Sequence, residues 1–163
     1  MDYLWTPWRY RYIADAAKDA AGRCIFCEAI GAEDDARTFV VYRGEKCFVI
    51  LNRYPYTSGH AMVVPYVHVG DLAAAEPAML SEMMILAQKV ETAQERTYHP
   101  EGFNIGMNLG RAAGAGITGH IHLHVLPRWA GDANFMTVVG ETRVEPEDLA
   151  TTFERMRKAL EVE

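Results

Sequence analysis

The chain has 163 residues and a net charge of −6, with half its residues hydrophobic and 23% charged. That suits one globular domain with a real core. No apolar run approaches the ~20 residues that span a bilayer, so no membrane span is expected, and the acidic balance argues against a nucleic-acid binder. A small phosphorylated ligand stays open, because a pocket can be locally positive inside an acidic protein.

The first stretch, MDYLWTPWRYRYIADAAKD, is aromatic and charged without an uninterrupted apolar segment. No signal peptide is expected there, and the expected location is the cytoplasm. Residues 1–22 read as an arm whose Tyr3, Trp5, Trp8, Tyr10 and Tyr12 pack on the body or on a partner subunit. The main domain is expected over 23–140, with 141–163 a C-terminal helix packed on it. Cys24, Cys27 and Cys47 are three cysteines, an odd number that does not read as a disulfide framework. Cys24-x-x-Cys27 is half of a zinc site or a redox pair. Residues GAEDDA (31–36) read as a loop.

TFVVYR (38–43) and KCFVILN (46–52) form a predicted hairpin about Gly44 and Glu45. Cys47 within it is a small core residue. After the loop RYPYTSG (53–59), HAMVVPY (60–66) is a third strand. Between Pro77 and about Tyr98 the period changes. Met79, Leu80, Met83, Met84, Leu86, Ala87 and Val90 recur at three- and four-residue spacing, which predicts an amphipathic helix with Pro77 in its first turn. The methionines serve a core or an interface, and His99 ends the helix in solvent. GFNIGMNLG (102–110) is a fourth strand, RAAGAGITG (111–119) a glycine-rich loop, and GHIHLHVLPRW (119–129) a fifth strand. Pro146 opens the C-terminal helix. The predicted class is α+β, with a mostly antiparallel five-stranded sheet, one long helix and a C-terminal helix.

The fifth strand is the informative one. Successive side chains of a strand point to opposite faces. His120, His122 and His124 therefore share one face, with ~6–7 Å between neighbours, while Ile121, Leu123 and Val125 enter the core. A solvated polar face gives no reason to choose histidine three times. Imidazole titrates near neutrality, so it can act as nucleophile, acid, base or metal ligand. Two chemistries remain open from the residues: a catalytic metal on the histidines, or covalent catalysis by one imidazole. The loop NLGRAAGAGITG, with Asn108 and Arg111, suits phosphate oxygens and leads straight into the histidine face.

These residues resemble the histidine triad (HIT) family of nucleotide hydrolases and transferases, whose signature is His-x-His-x-His followed by apolar residues. The resemblance runs from about Cys24 to about Asn134 and includes ILNRYPYTSGHAMVVP (50–65) and FNIGMNLG (103–110). PRWAGDANFM (127–136) and LWTPWRYRYI (4–13) look more like the branch that acts on diadenosine tetraphosphate, its phosphorylases included.

The resemblance implies a HIT-like fold and a role for each residue. His122 is the implied nucleophile toward the α-phosphorus, His124 a donor to a phosphate oxygen, and His120 the first triad member. Asn52 would meet the ribose. Asn108, Arg111 and the amides of Gly114, Gly116, Ile117 and Thr118 would hold phosphates. Many family members carry glutamine or serine where this chain reads Gly116-Ile117-Thr118, so Thr118 or backbone amides take that place. Arg53 and Arg128 are further basic residues near the site. His60 lies where the family has a histidine beside the triad, and is either a supporting residue or a buried structural one. Family members with C-x-x-C complete a structural zinc site with two histidines, here Cys24, Cys27, His68 and His120. No organic cofactor is expected. The implied partner is a small nucleotide, with no nucleic acid or membrane, and the implied assembly a homodimer.

The leading expectation is cleavage of dinucleoside polyphosphates through a nucleotidyl-histidine, with water or phosphate as acceptor. The alternatives are a hydrolase of adenosine phosphoramidate-type conjugates, a metal hydrolase drawing on Asp132, and a non-catalytic nucleotide-binding module.

Overall fold

Five short strands make one antiparallel sheet in a computed structural model that describes residues 24–133, 139 and 147–162. The aromatic arm (1–22), the 140/141 boundary and the Pro146 helix start lie outside the described residues. The strands are β1 (Val40–Arg43), β2 (Cys47–Leu51), β3 (Ala61–Pro65), β4 (Gly102–Gly106) and β5 (Leu123–Arg128), in the order β1-β2-β3-β5-β4. The helices are α1 (Ile25–Gly31), α2 (Asp35–Thr38), α3 (Pro77–Tyr98) and α4 (Leu149–Glu161). The α+β expectation therefore holds. No helix among the described residues is long and apolar enough to cross a membrane.

Every residue of β2 and β3 is buried. The continuous apolar run CFVIL is the mark of a strand covered on both faces. One face carries Cys47, Val49, Leu51, Ala61, Val63, Leu123 and Val125 against Met79, Met83, Leu86 and Val90 of α3 and Phe153, Met156 and Leu160 of α4. The other carries Phe48, Ile50, Met62 and Val64 against Phe26 and Ala29 of α1. Burying side chains of this size contributes roughly 1.5–3 kcal/mol each. Met79 and Met83 are core, while Met84 faces out.

Local chemistry sets the ends. Pro77 starts α3, and His99 closes it in the left-handed region (φ 48) ahead of Pro100, exposed as expected. Asp34 caps α2 through the N–H groups of Ala36 and Arg37 at 3.0 and 3.2 Å. The Glu82 carboxylate on α3 accepts the N–H groups of Glu45 and Lys46 at 2.7 and 2.6 Å, which fixes the β1–β2 turn.

Three expectations are corrected. Residues 31–36 are not a plain loop: Gly31 ends α1 and Asp35 begins α2, which leaves only 32–34 between them. The fourth strand stops at Gly106, where its pairing with β5 ends. The fifth begins at Leu123 and not at Gly119, because residues before it leave β3 and run beside the segment after it, with Ile121 N–H donating to the Val69 carbonyl at 2.8 Å.

Candidate functional site

Residues 120 to 125 are all buried, so the histidine face is not a solvated polar stripe. His122 and His124 lie on the sheet face that carries Met62, the face that α1 covers. Their rings meet edge to face with centroids 4.9 Å apart. His60 immediately precedes β3 and joins them across the strand pair, with its Nε2 2.9 Å from His124 Nδ1. Phe26 of α1 lies against both His120 and His122, at 5.4 and 5.1 Å between centroids.

The hydrogen bonds assign the tautomers. The Tyr56 N–H donates to His60 Nδ1 at 3.2 Å. His60 therefore carries its proton on Nε2 and donates it to His124 Nδ1. That leaves His124 with its own proton on Nε2. His122 is the reverse: its Nδ1–H donates to the His120 carbonyl at 2.9 Å, so its Nε2 lone pair is bare. The site thus pairs a ring nitrogen that can attack with a ring N–H that can donate.

The electrostatics keep these rings neutral. Burial, and then the His122 ring, push His124 down to about 4. Burial, helped by His124 and His122, holds His60 well below the usual histidine range. Burial also lowers His122, against the opposing pull of its bond to the His120 carbonyl. At neutral pH the His122 Nε2 is unprotonated.

His120 faces elsewhere. Its Nε2–H donates to the Pro65 carbonyl at 2.8 Å, and its bare Nδ1 lies 3.3 Å from Cys24 Sγ and 3.7 Å from Cys27 Sγ. His68 Nδ1 lies 3.3 Å from Cys27 Sγ. The four donor atoms of Cys24, Cys27, His68 and His120 all lie within 4.8 Å of one another. Zinc–sulfur and zinc–nitrogen bonds of ~2.3 and ~2.0 Å give tetrahedral S···N edges of about 3.5 Å. The residues present fit such an ion, and the Pro65 carbonyl orients the His120 ring as an outer partner of a metal-bound imidazole does. Cys47 stays apart in the core, its thiol pushed up to about 12 by burial.

The remaining candidates lie after β2, after β4, and before or at the end of β5. Asn52 follows β2 and is half-buried. Its Oδ1 accepts the Tyr54 N–H at 2.9 Å and its own N–H donates to the His60 carbonyl at 3.0 Å, so it closes the 53–59 loop beside His60. Asn108 is half-buried after β4, and Arg111 is exposed in a short 3-10 turn (Arg111–Ala113). The Gly114 and Ala115 amides are used inside the loop, on the Arg111 and Gly110 carbonyls at 3.0 and 3.3 Å. Gly116 is half-buried, Ile117 packs on the Phe26 cluster, and Thr118 is exposed. Arg53 donates to the Arg37 carbonyl at 3.4 Å. Arg128 donates to both Asp132 oxygens at 2.5 and 2.8 Å and to Asn104 Oδ1 at 2.5 Å. Asp132 is thus tied to an arginine, which argues against its service as a catalytic metal ligand. Sequence reasoning missed Phe26 and the Tyr56 N–H. Phe26 lies between the two cysteines, and a helix there would have placed it on the inner side.

Residues 33–131 match the HIT domain family. The chain is 41% identical over 155 residues to the AP-4-A phosphorylase of Mycobacterium tuberculosis, covering 91% of this chain and 79% of that protein. Among solved structures, it is similar to a Zn-bound histidine triad family protein from Mycobacterium smegmatis, with TM-score 0.70, 32% identity, and 85% and 93% of the two chains covered. A histidine triad nucleotide-binding protein from Sulfolobus tokodaii gives TM-score 0.69 and 28% identity, with 85% and 92% covered.

Proposed function

The chain belongs to the HIT domain family, and from that premise we propose that it is a nucleotidyl-transfer enzyme acting on dinucleoside polyphosphates, diadenosine tetraphosphate foremost. The observation that carries the reading is the opposed tautomers of His122 and His124. His122 Nε2 attacks the α-phosphorus, an N–P bond forms, and the bond from that phosphorus to the bridging oxygen breaks. The departing polyphosphate takes the electron pair, and the His124 Nε2–H donates to the phosphate oxygen on which charge develops. In the second half, an oxygen of the acceptor attacks the same phosphorus and the N–P bond breaks, which restores the His122 lone pair. Inorganic phosphate as acceptor gives ADP, and water gives AMP. The relative named AP-4-A phosphorylase supports phosphate.

Under this reading Asn52 meets the ribose. Asn108, Arg111 and the backbone of Gly116, Ile117 and Thr118 hold phosphates, with Gly114 shaping the loop at φ 90. Cys24, Cys27, His68 and His120 would hold a structural zinc ion whose chemistry is to cross-link α1 to the segment that leads into β5. A closed set of four protein ligands leaves no position for substrate. Among the described residues β4 is an edge strand paired only with β5, and Ile105 on it is exposed, which supports a homodimer.

Incubation with diadenosine tetraphosphate, with and without inorganic phosphate, followed by ion-exchange separation, tests the reading. ADP plus ATP formed only with phosphate is expected. AMP plus ATP in both conditions assigns water as the acceptor. No product in either removes this substrate.

A further inference from the structure

Gln94 lies on the face of α3 that packs against the sheet, opposite the histidines, and is completely buried. A buried amide is costly unless its hydrogens are used. Here Nε2 donates to the Gly59 carbonyl at 2.8 Å and to the Val125 carbonyl at 3.3 Å. Oε1 has no hydrogen-bond partner among the described residues. The flipped amide would set Oε1 against two carbonyl oxygens, so its surroundings fix this orientation. Methionine would fill the same space with no unsatisfied side-chain oxygen, but it would leave both carbonyls without this donor. Packing alone does not account for glutamine here.

The two acceptors have a telling position. Gly59 immediately precedes His60, and Val125 immediately follows His124. The β3–β5 ladder pairs Val63 with Leu123, Met62 with His124 and Ala61 with Val125, and ends there. His60 lies just past this end, where no ladder pair holds the two chains together. The Gln94 amide closes the gap from behind, and on the other face His60 Nε2 meets His124 Nδ1 at 2.9 Å.

We propose that Gln94 is a positioning residue for the reaction: its carboxamide, bridging the Gly59 and Val125 carbonyls, holds His60 and His124 at hydrogen-bond distance and so fixes His124 as the donor. This rests on the reading of His124 given above, and Gln94 acts on the substrate only through that ring.

Gln94→Met and Gln94→Glu separate this role from core filling. A buried glutamic acid in its protonated form keeps the shape and can still donate to one carbonyl, whereas methionine donates to neither. The expected order of kcat on diadenosine tetraphosphate with phosphate is wild type, then Glu, then Met. Met is expected to lose about 10- to 100-fold with KM within about twofold. A packing role predicts the opposite order, with Met near wild type and Glu worst, and that result overturns the proposal. Nitrogen-15 spectra of the imidazoles give an independent readout. Wild type is expected to show His60 and His124 as Nε2–H tautomers and His122 as Nδ1–H. Either folded variant is expected to mix the tautomers of the first two and spare His122. Unchanged tautomers in a folded variant also overturn the proposal. These spectra need no turnover, so a failure of the proposed reaction leaves the Gln94 test intact.

Discussion

His122 donates its Nδ1 proton to the main-chain carbonyl of His120 at 2.9 Å, while the His120 ring turns away toward Cys24 and Cys27. One residue thus serves two places: its backbone carbonyl orients the ring proposed as the nucleophile, and its own ring joins the cysteine pair. The arrangement separates the chemistry of the strand. His122 and His124 meet ring to ring, and His120 belongs to a closed set of donors.

That separation predicts the behaviour of the metal. Purified protein is expected to hold one zinc ion per chain by elemental analysis. Cys27→Ser is expected to lose it and to melt at a lower temperature, because binding free energy of a structural ion is folding free energy. Cys47→Ala is expected to keep it. Zinc retained in full by Cys27→Ser contradicts the four-residue set.

His60 is expected to matter through His124. His60→Phe keeps a ring but removes both the acceptor for the Tyr56 N–H and the donor to His124 Nδ1. Loss of a positioned proton donor costs about 10²- to 10⁴-fold, and kcat is expected to fall within that range. His124→Ala is expected to fall similarly, and the double variant no further than the worse single one, since the two act as a unit. Additive losses in steady-state kinetics contradict a shared role.

The buried histidines set an acid limit on stability. The folded His124 titrates at about 4, below its unfolded value near 6.5, because burial disfavours its charged form. Between those values the unfolded chain binds more protons than the folded one, so stability rises with pH. The contribution is complete above about pH 6.5 and is lost as pH falls toward 4, a change of at most about 3 kcal/mol from His124. His60, lowered in the same direction, adds to it. Urea unfolding at pH 7.5, 6 and 5 is expected to show falling midpoints. A midpoint that rises toward pH 5 contradicts these neutral rings.

Gly59 is a backbone test of the same corner. It adopts φ +80, and an added Cβ would stand 2.8 Å from the Tyr98 ring. Gly59→Ala therefore meets both left-handed strain and a clash, and is expected to lose about 1–3 kcal/mol of stability in denaturant unfolding, with His60 displaced. An unchanged midpoint contradicts the close packing of Tyr98 beneath the loop.

Much of this was legible in the sequence. Strand parity alone placed His122 and His124 on one face and Leu123 and Val125 in the core, and the methionine spacing located α3. The C-x-x-C alone read as half a site, and the resemblance to the family added His68 and His120, the donor set that the fold brings together. What escaped was encoded by contact and not by pattern. CIFCEAIG is too short to show a helical period, so α1 and its Phe26 stayed hidden. Gln94 is a polar residue on a buried helix face, and a periodicity count reads it as an imperfection. The start of β5 depended on a backbone bond between Ile121 and Val69, which no local residue pattern encodes.

The central claim is covalent catalysis by His122. The most direct measurement is to quench the protein with diadenosine tetraphosphate in the absence of phosphate and map adducts by mass spectrometry, with His122→Ala alongside. The account predicts an acid-labile adenylyl group on His122 that disappears on addition of inorganic phosphate with release of ADP, and no adduct or turnover in His122→Ala. Full turnover by His122→Ala, or an adduct on another residue, would contradict it.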